Sequence, residues 1–389
     1  MPSKAIGASP AVAHFLKETR ESLGLTLRGV ASLSSTTGNP IPHSTLARIE
    51  RGKLDPGVLR LQQLLRLYNL PTQAAGDLLD LEALAGPVPF ERDPVKLRDL
   101  AVTAWREGRV GDALAHFFAF RDRVNKTTST AAFRQEATLS FAVAASGLGK
   151  HHLAKRLLED LLVAGPDPGV IVATLVQLSN TWRGLGSAEA AIAFLERAAT
   201  HVAPEAHRHR GWIEHQRALL RLDAGAYDEV GPHLGAALRF YRRAGSPRDE
   251  ASIYVALANL AFHRKDAPAA IAAARRAVRF ADGHKFARLK MFALLEEARA
   301  HQLAAEIEES RRILRAILAD SLVTDDSFIR FYAHYYLWEA ERAGGDTARA
   351  EIELREAAYF VRFVDEAGPE ATEVRKHLTT SERKPGRKP

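Results

Sequence analysis

His201, His207, His209 and His215 crowd into HVAPEAHRHRGWIEHQ and form the densest set of metal-capable side chains in the chain. No cysteine stands with them and no carboxylate is fixed beside them by spacing, so the set does not read as a zinc site. The 389 residues contain no cysteine, which removes disulfides, thiolate nucleophiles and every Cys-based metal centre. GxxxxGK[ST], HExxH, GxSxG and a strand-borne GxGxxG are also absent. With no nucleophile or acid–base pair organised by spacing, the expectation is no enzyme, no metal and no cofactor. A different chemistry stands in HSTLARIERG. If this stretch is helical, Leu46 and Ile49, three apart, share the inward face. His43, Ser44, Ala47, Arg48 and Arg51 then take the opposite face, a surface rich in hydrogen-bond donors.

Helix start and stop signals surround that stretch. Ser9-Pro10 opens a first helix whose apolar face is Val12, Phe15, Leu16, Thr19 and Leu23, with Gly24 ending it. A second runs from about Thr26 to Leu33, and the polar SSTTGNPIP precedes the third, which Gly52 stops. Asp55-Pro56 opens a fourth through VLRLQQLLRLYNL, and Pro71-Thr72 a fifth through QAAGDLLDLEAL. Five short helices in residues 1–84 suit a compact bundle.

FLKETRESLGLTLRGVA, TLARIERGKLDP and LRLQQLLRLYNL together resemble the Cro/phage-repressor (XRE) helix-turn-helix domain over residues 10–82. The resemblance implies a structural ion pair between Arg20 and Glu50, and close packing of the second and third helices at Ala31. It also makes the third helix the recognition helix, with His43, Ser44 and Arg48 reading bases in the major groove. Arg48 would take guanine O6 and N7 bidentately. Thr26, Arg28, Arg51 and Lys53 flank it as phosphate contacts. Two departures stand out. The turn between Ala31 and Thr45 is longer than the family's and holds Gly38-Asn39-Pro40, and Leu27 replaces a phosphate-binding glutamine. Residues 1–80 carry nine Lys/Arg against six acids. So weak a basic excess calls for two recognition helices, hence a homodimer on double-stranded DNA with a pseudo-palindromic operator.

Most of the remaining chain repeats. Anchors at Ala113, Ala154, Ala191, Val230, Ala270, Ser310 and Ala350 are separated by 41, 37, 39, 40, 40 and 40 residues. Four and seven residues after each anchor come apolar positions, one face of a helix. Twelve before each comes Ala101, Ala142, Ser179, Ala218, Ala258, Ala298 or Trp338. Small residues there permit close helix approach. Turn segments EGRVGD, GLGKHH, GLGSAE, AGAYDE, RKDAP and AGGDTA fall between, while the sixth unit has HQLAAEIEES without glycine. The units resemble tetratricopeptide repeats with a longer period and few of that family's aromatic signatures. An unrelated antiparallel helical array is the alternative.

The fold class is therefore all-α: a compact five-helix domain followed by a right-handed α-solenoid of about seven helix pairs. The expected boundaries are 1–84 for the helix-turn-helix domain, 85–93 for a linker, 94–367 for the repeats and 368–389 for a basic, disordered tail. The tetratricopeptide likeness implies a concave groove lined eighteen, fifteen, eleven and eight residues before each anchor. Those offsets select Asn180, Arg183, Trp212, His215, Asn259, Phe262, Arg299, Gln302, Tyr332 and Tyr335. Family members that grip extended peptides often carry asparagine eleven before the anchor, matched by Asn180 and Asn259. A peptide, a folded partner or second copy, and a small molecule all remain open as occupants. The domain order resembles peptide-responsive regulators of the Rap/Rgg/PlcR type. That implies a cytoplasmic transcriptional regulator whose arm senses a peptide or protein. The competing reading is an interaction scaffold or adaptor whose first domain has no specific operator. Net charge is +7, 46% of residues are hydrophobic, and no apolar run is long enough to span a bilayer, so no membrane partner is expected.

Overall fold

The computed structural model describes residues 9–36, 39–126, 129–320, 323 and 325–382. These residues are all-α, with twenty α-helices. The head is α1 (Pro10–Ser22), α2 (Leu27–Ser35), α3 (His43–Glu50), α4 (Gly57–Leu67) and α5 (Thr72–Leu84). Local chemistry starts them. The Ser9 hydroxyl accepts from the Val12 amide at 3.0 Å, and Pro10 fills the first turn. Thr26 caps α2 by accepting from the Gly29 amide at 3.0 Å. Phe15, Leu16, Val30, Leu46, Ile49, Leu64, Leu65 and Tyr68 close a dry core.

Seven antiparallel pairs follow: α6 (Pro94–Arg106) with α7 (Val110–Lys126), α8 (Ala131–Gly147) with α9 (His151–Val163), and α10 (Pro168–Gly184) with α11 (Ala188–His201). Next come α12 (His207–Asp223) with α13 (Tyr227–Arg243), and α14 (Pro247–His263) with α15 (Ala267–Gly283). The last are α16 (Ala287–Leu303) with α17 (Ile307–Ala319), and α18 (Ser327–Ala343) with α19 (Thr347–Phe360). Every anchor from Ala113 to Ala350 is buried, and so are all seven residues twelve before them. The one large residue in that second set, Trp338, sits in the last pair, where no eighth pair presses on it. It packs instead edge-on to His377, ring centroids 5.5 Å apart.

Each turn within a pair carries one residue with left-handed backbone. Five are glycines, while Lys265 (φ 60) and Ala305 (φ 60) do the same work with a side chain. Ala305 ends α16 in a tight C-terminal cap, with the Glu306 amide donating to the His301 carbonyl at 2.9 Å. The glycine missing from HQLAAEIEES is thus a local cost, carried by packing on both sides.

The head is not a bead on a string. Its core runs without a break from Phe15 and Leu81 into Ala113, Phe117, Leu153 and Leu158 of the first two pairs. Polar ties reinforce this. Glu18 of α1 pairs with Arg121 of α7 and accepts from Asn125 at 2.8 Å. Asp77 of α5, fully buried, accepts from the Leu153 amide at 3.1 Å at the start of α9. Lys150 pairs with Asp80 next to it. The array also curls back on itself. Arg288 of α16 lies 4.9 Å over the Trp105 ring of α6 and donates to the Gly147 carbonyl at 2.5 Å.

After α19, a 3-10 turn over Val361–Phe363 leads into α20 (Pro369–Glu382). This corrects the expectation of a disordered tail from residue 368. Ala371 and Val374 are buried in the last core cluster beside Tyr335, Tyr336 and Trp338, and that contact gives the segment a reason to be helical. Residues 383–389, like Gly38 in the long turn of the head, lie outside the described residues. Among the described residues no helix is long and apolar enough to cross a membrane.

Two outcomes are expected. Ala305→Gly raises stability by about 1 kcal/mol in denaturant melts by removing the left-handed strain. The second concerns Asp77, whose carboxyl is pushed up to about 8 by burial and then by the Asp365 charge, with Lys150 opposing. An acid protonated in the folded state above its unfolded value contributes stability below about pH 4 that is lost as pH rises through 8. Asp77→Asn should remove that dependence, flattening the slope of stability against pH between 5 and 8 by up to about 1.4 kcal/mol per pH unit.

Candidate functional site

The outward face of α3 is defined by what its inward face buries. Leu46 and Ile49 are each 1% exposed, while His43, Ser44 and Arg48 are exposed and Ala47 is half-buried. Arg20 holds this orientation from α1. Its Nε donates to Glu50 Oε1 at 2.6 Å, its Nη2 to Oε2 at 2.8 Å, and its Nη1 to the Leu25 carbonyl at 2.8 Å. The bidentate fork fixes both the position and the roll of α3.

The long turn before α3 stays off that face at its described residues. Ile41 is buried and its amide donates to Ser34 Oγ at 2.8 Å, so the chain dives into the core just before the helix. Asn39 turns toward α4, where its carbonyl accepts from Gln63 Nε2 at 2.6 Å. Arg28, Arg51 and Lys53 are exposed around α3, and among the described residues no carboxylate pairs with them or with Arg48. Thr26 is exposed as well, but its hydroxyl oxygen is engaged in capping α2. Nearby acids are committed: Glu50 and Glu21 to Arg20, Asp55 to the Gly57 amide at 2.7 Å. The result is an outward face of donors and positive charge on which, among the described residues, the nearby acids are engaged elsewhere.

The arm brings some of the sequence-selected residues together and not others. On α10, Arg183 donates to Asn180 Oδ1 at 3.4 Å and to Asp223 at 3.1 Å. On α16, the buried Arg299 donates to both oxygens of Glu296 at 2.9 and 3.1 Å, and Asn259 of α14 donates to the same Glu296 at 3.2 Å. The Arg299 guanidinium lies 4.1 Å over the Phe262 ring and 5.0 Å from Tyr336. Asn259 Oδ1 is buried without a partner. Burial holds the His215 imidazole down at about 4, so it is neutral at pH 7. Tyr332 and Tyr335 follow on α18, and burial raises both phenols.

Gln302 and Trp212 stand apart from this cluster. The Gln302 amide is spent between helices, on the Tyr336 carbonyl at 2.8 Å and Ser310 Oγ at 3.0 Å. Trp212 packs between units, with Arg208 4.8 Å over its ring. Glu296 and Tyr336, both fourteen residues before an anchor, stand in the cluster around Arg299 but fall outside the chosen offsets. That position is one helical step from the one eleven before, on the same face. Glu339 joins them. Burial and the nearby charges of Glu373 and Glu370 push it up to about 7, against the pull of Arg299. Among the described residues no His, Asp and Glu group converges as a metal site.

A family model described as a helix-turn-helix domain matches residues 11–78. No curated protein matches the sequence. Among solved structures, the chain is similar to Bacillus thuringiensis PlcR in complex with the peptide PapR7 and DNA, at 15% identity over 80% of this chain and 100% of that one, TM-score 0.38. It is similar to a signal-transduction ATPase (STAND) protein with a tetratricopeptide repeat sensor from Pyrococcus horikoshii, at 12% identity over 96% of this chain and 62% of that one, TM-score 0.46. It is also similar to yeast Tom70, at 13% identity over 95% and 82%, TM-score 0.45. The chain carries a helix-turn-helix domain followed by a tetratricopeptide-like array of helix pairs.

Glu50→Ala would leave Arg20 buried without its fork. Loss of one partner of a buried pair costs about 3 kcal/mol. The expected result is a destabilised head in urea melts, while Glu50→Gln, which keeps the acceptor oxygen, loses clearly less.

Proposed function

We propose that this chain is a sequence-specific DNA-binding transcriptional regulator. Its right-handed repeat arm binds a peptide or protein partner and mediates dimerisation. The observation that carries the reading is the face of α3: His43, Ser44 and Arg48 stand outward together while Leu46 and Ile49 are sealed in the core. A short helix held this way enters a major groove end-on, its first residues toward base edges. Arg48 supplies the bidentate fork for guanine, His43 and Ser44 the neighbouring polar contacts. Arg28, Arg51 and Lys53 set the register on phosphates and carry no sequence information. Thr26, whose oxygen caps α2, retains its O–H for a phosphate.

A single helix with so few cations binds weakly, so two heads act together on a pseudo-palindrome. Exposed Val58, Leu59 and Leu79 supply apolar surface on the head. Val58 and Leu79 border a cavity of about 240 Å³ beside Ile49, where a second head can pack. In the arm, the amides of Asn180 and Asn259, the guanidinium groups of Arg183 and Arg299 and the rings of Phe262, Tyr332 and Tyr335 offer a peptide hydrogen bonds, a charge partner and apolar pockets.

The test is selection of a preferred duplex by the full chain, then binding of Arg48→Ala. Specific affinity should fall by about 1–3 kcal/mol with the melting temperature unchanged. Arg51→Ala should weaken all sequences alike and reduce the salt slope. A salt titration in which no sequence is preferred at any ionic strength overturns the regulator reading in favour of an interaction scaffold.

A further inference from the structure

The segment that follows α19 makes two sets of contacts, one at the head–arm junction and one against the helices of the arm. At its start, the Asp365 amide donates to the Gly149 carbonyl at 2.7 Å, and Asp365 Oδ2 accepts from the His152 amide at 2.9 Å. Asp365 Oδ1 accepts from Gln73 of the head at 3.4 Å. Two residues on, the Ala367 amide donates to the Gly184 carbonyl at 2.9 Å. Asp365 thus closes the junction in which Asp77 and Lys150 join head and arm. The fit is tight: a Cβ on Gly149 would stand 3.0 Å from Val364, and one on Gly184 2.5 Å from the His151 ring.

Farther along, the same segment lies against α18 and the cluster around Arg299. Glu373 accepts from the Tyr335 hydroxyl at 2.8 Å and Glu370 from the Tyr336 hydroxyl at 3.4 Å. The Glu370 charge reaches Arg299 and Tyr332, and the Glu366 charge reaches Arg183. These are groove residues of the arm, and carboxylates of the chain's own C-terminal segment already stand against them. Arg375 makes the two halves one piece: from α20 it donates to the Val364 carbonyl at 2.8 Å and to that of Glu366. Moving α20 therefore moves Asp365.

We propose that residues 361–378 are an internal ligand of the arm. An acidic peptide carrying carboxylates spaced as in Glu366, Glu370 and Glu373 takes their place in the groove and so withdraws Asp365 from the head junction. The inference rests on the groove being a ligand site, as in the proposed function, and does not depend on the head binding DNA. Its physical requirement is met by the geometry: groove occupancy by an added peptide and attachment of Asp365 use the same stretch of chain, so one excludes the other.

The experiment uses the full chain and a fluorescent synthetic peptide with the sequence of residues 364–378. Binding is read by anisotropy, and opening of the junction by hydrogen–deuterium exchange of residues 149–155. Glu370→Ala with Glu373→Ala should bind the added peptide at least ten-fold more tightly than the unaltered chain, because its own segment is loosened. Exchange of 149–155 should quicken at least ten-fold in that variant, and also in the unaltered chain saturated with peptide. A peptide with its glutamates replaced by glutamine should do neither. If the double variant melts without cooperativity, Glu373→Gln alone, which alters only the chain's own segment and leaves the receiving residues intact, must show the same direction of change in both readouts. Equal peptide affinity in variant and unaltered chain, or unchanged exchange at 149–155 under saturation, overturns the proposal. Neither readout involves DNA, so a failure here leaves the Arg48 test standing, and a failure there leaves this one.

Discussion

A helix pair in this arm has no core of its own. Each buries its apolar stripe only against the next pair, so both ends of the array need covering by something that is not a repeat. The head covers one end. Leu78 and Leu81 of α5 share a core with Leu153 and Leu158 of α9, and the buried Asp77 carboxyl caps the Leu153 amide. At the other end α20 lays Ala371 and Val374 on the core around Tyr336 and Trp338. Between these two caps runs the Val361–Ala367 stretch, which bonds to Gly149 and Gly184. The curled array is thereby tied across, and head, arm and C-terminal segment share one set of contacts.

Charge follows the same logic. Buried charges in this molecule are paired: Arg20 with Glu50, Arg299 with Glu296, Lys150 with Asp80. Such pairs add little net stability, since desolvation offsets much of the Coulomb gain, but their geometry is specific. Arg20–Glu50 sets the roll of α3, and Arg299 with Glu296 and Asn259 stitches α16 to α14. Against that background the outer face of α3 is an exception. Its arginines have no acid beside them, which is a disadvantage for a free surface and an advantage for meeting an anion.

How much of this was readable beforehand differs from place to place. The repeat register was legible because small residues recur where helices touch, since close backbone approach leaves little room for a side chain. The inward face of α3 was legible from Leu46 and Ile49, since a helix turns by a constant angle per residue. The polar cluster around Arg299 was only partly so. Offsets counted from the anchors led to Asn180, Arg183, Asn259 and Arg299, but passed over Glu296 and Tyr336 on the same helical face. They also admitted Trp212 and Gln302, which the neighbouring units claim for packing. Periodicity tells which way a side chain leaves its helix and not how near the next helix stands.

The order of amino acids determined local matters on its own: where helices begin and end, which stripe of each is apolar, and that no cysteine or nucleophile chemistry is organised in the chain. Those follow from interactions a few residues long. Tertiary structure alone decided that the core of the head continues into the arm, that the array curls until Arg288 meets Trp105, and that α20 forms and returns its glutamates to the tyrosines of α18. The curl depends on small rotations accumulated from the first pair to the sixth, and the other two on which surfaces the neighbouring elements leave uncovered. No short stretch of sequence carries that sum, so residues hundreds of positions apart become neighbours, as Gln73 and Asp365 do.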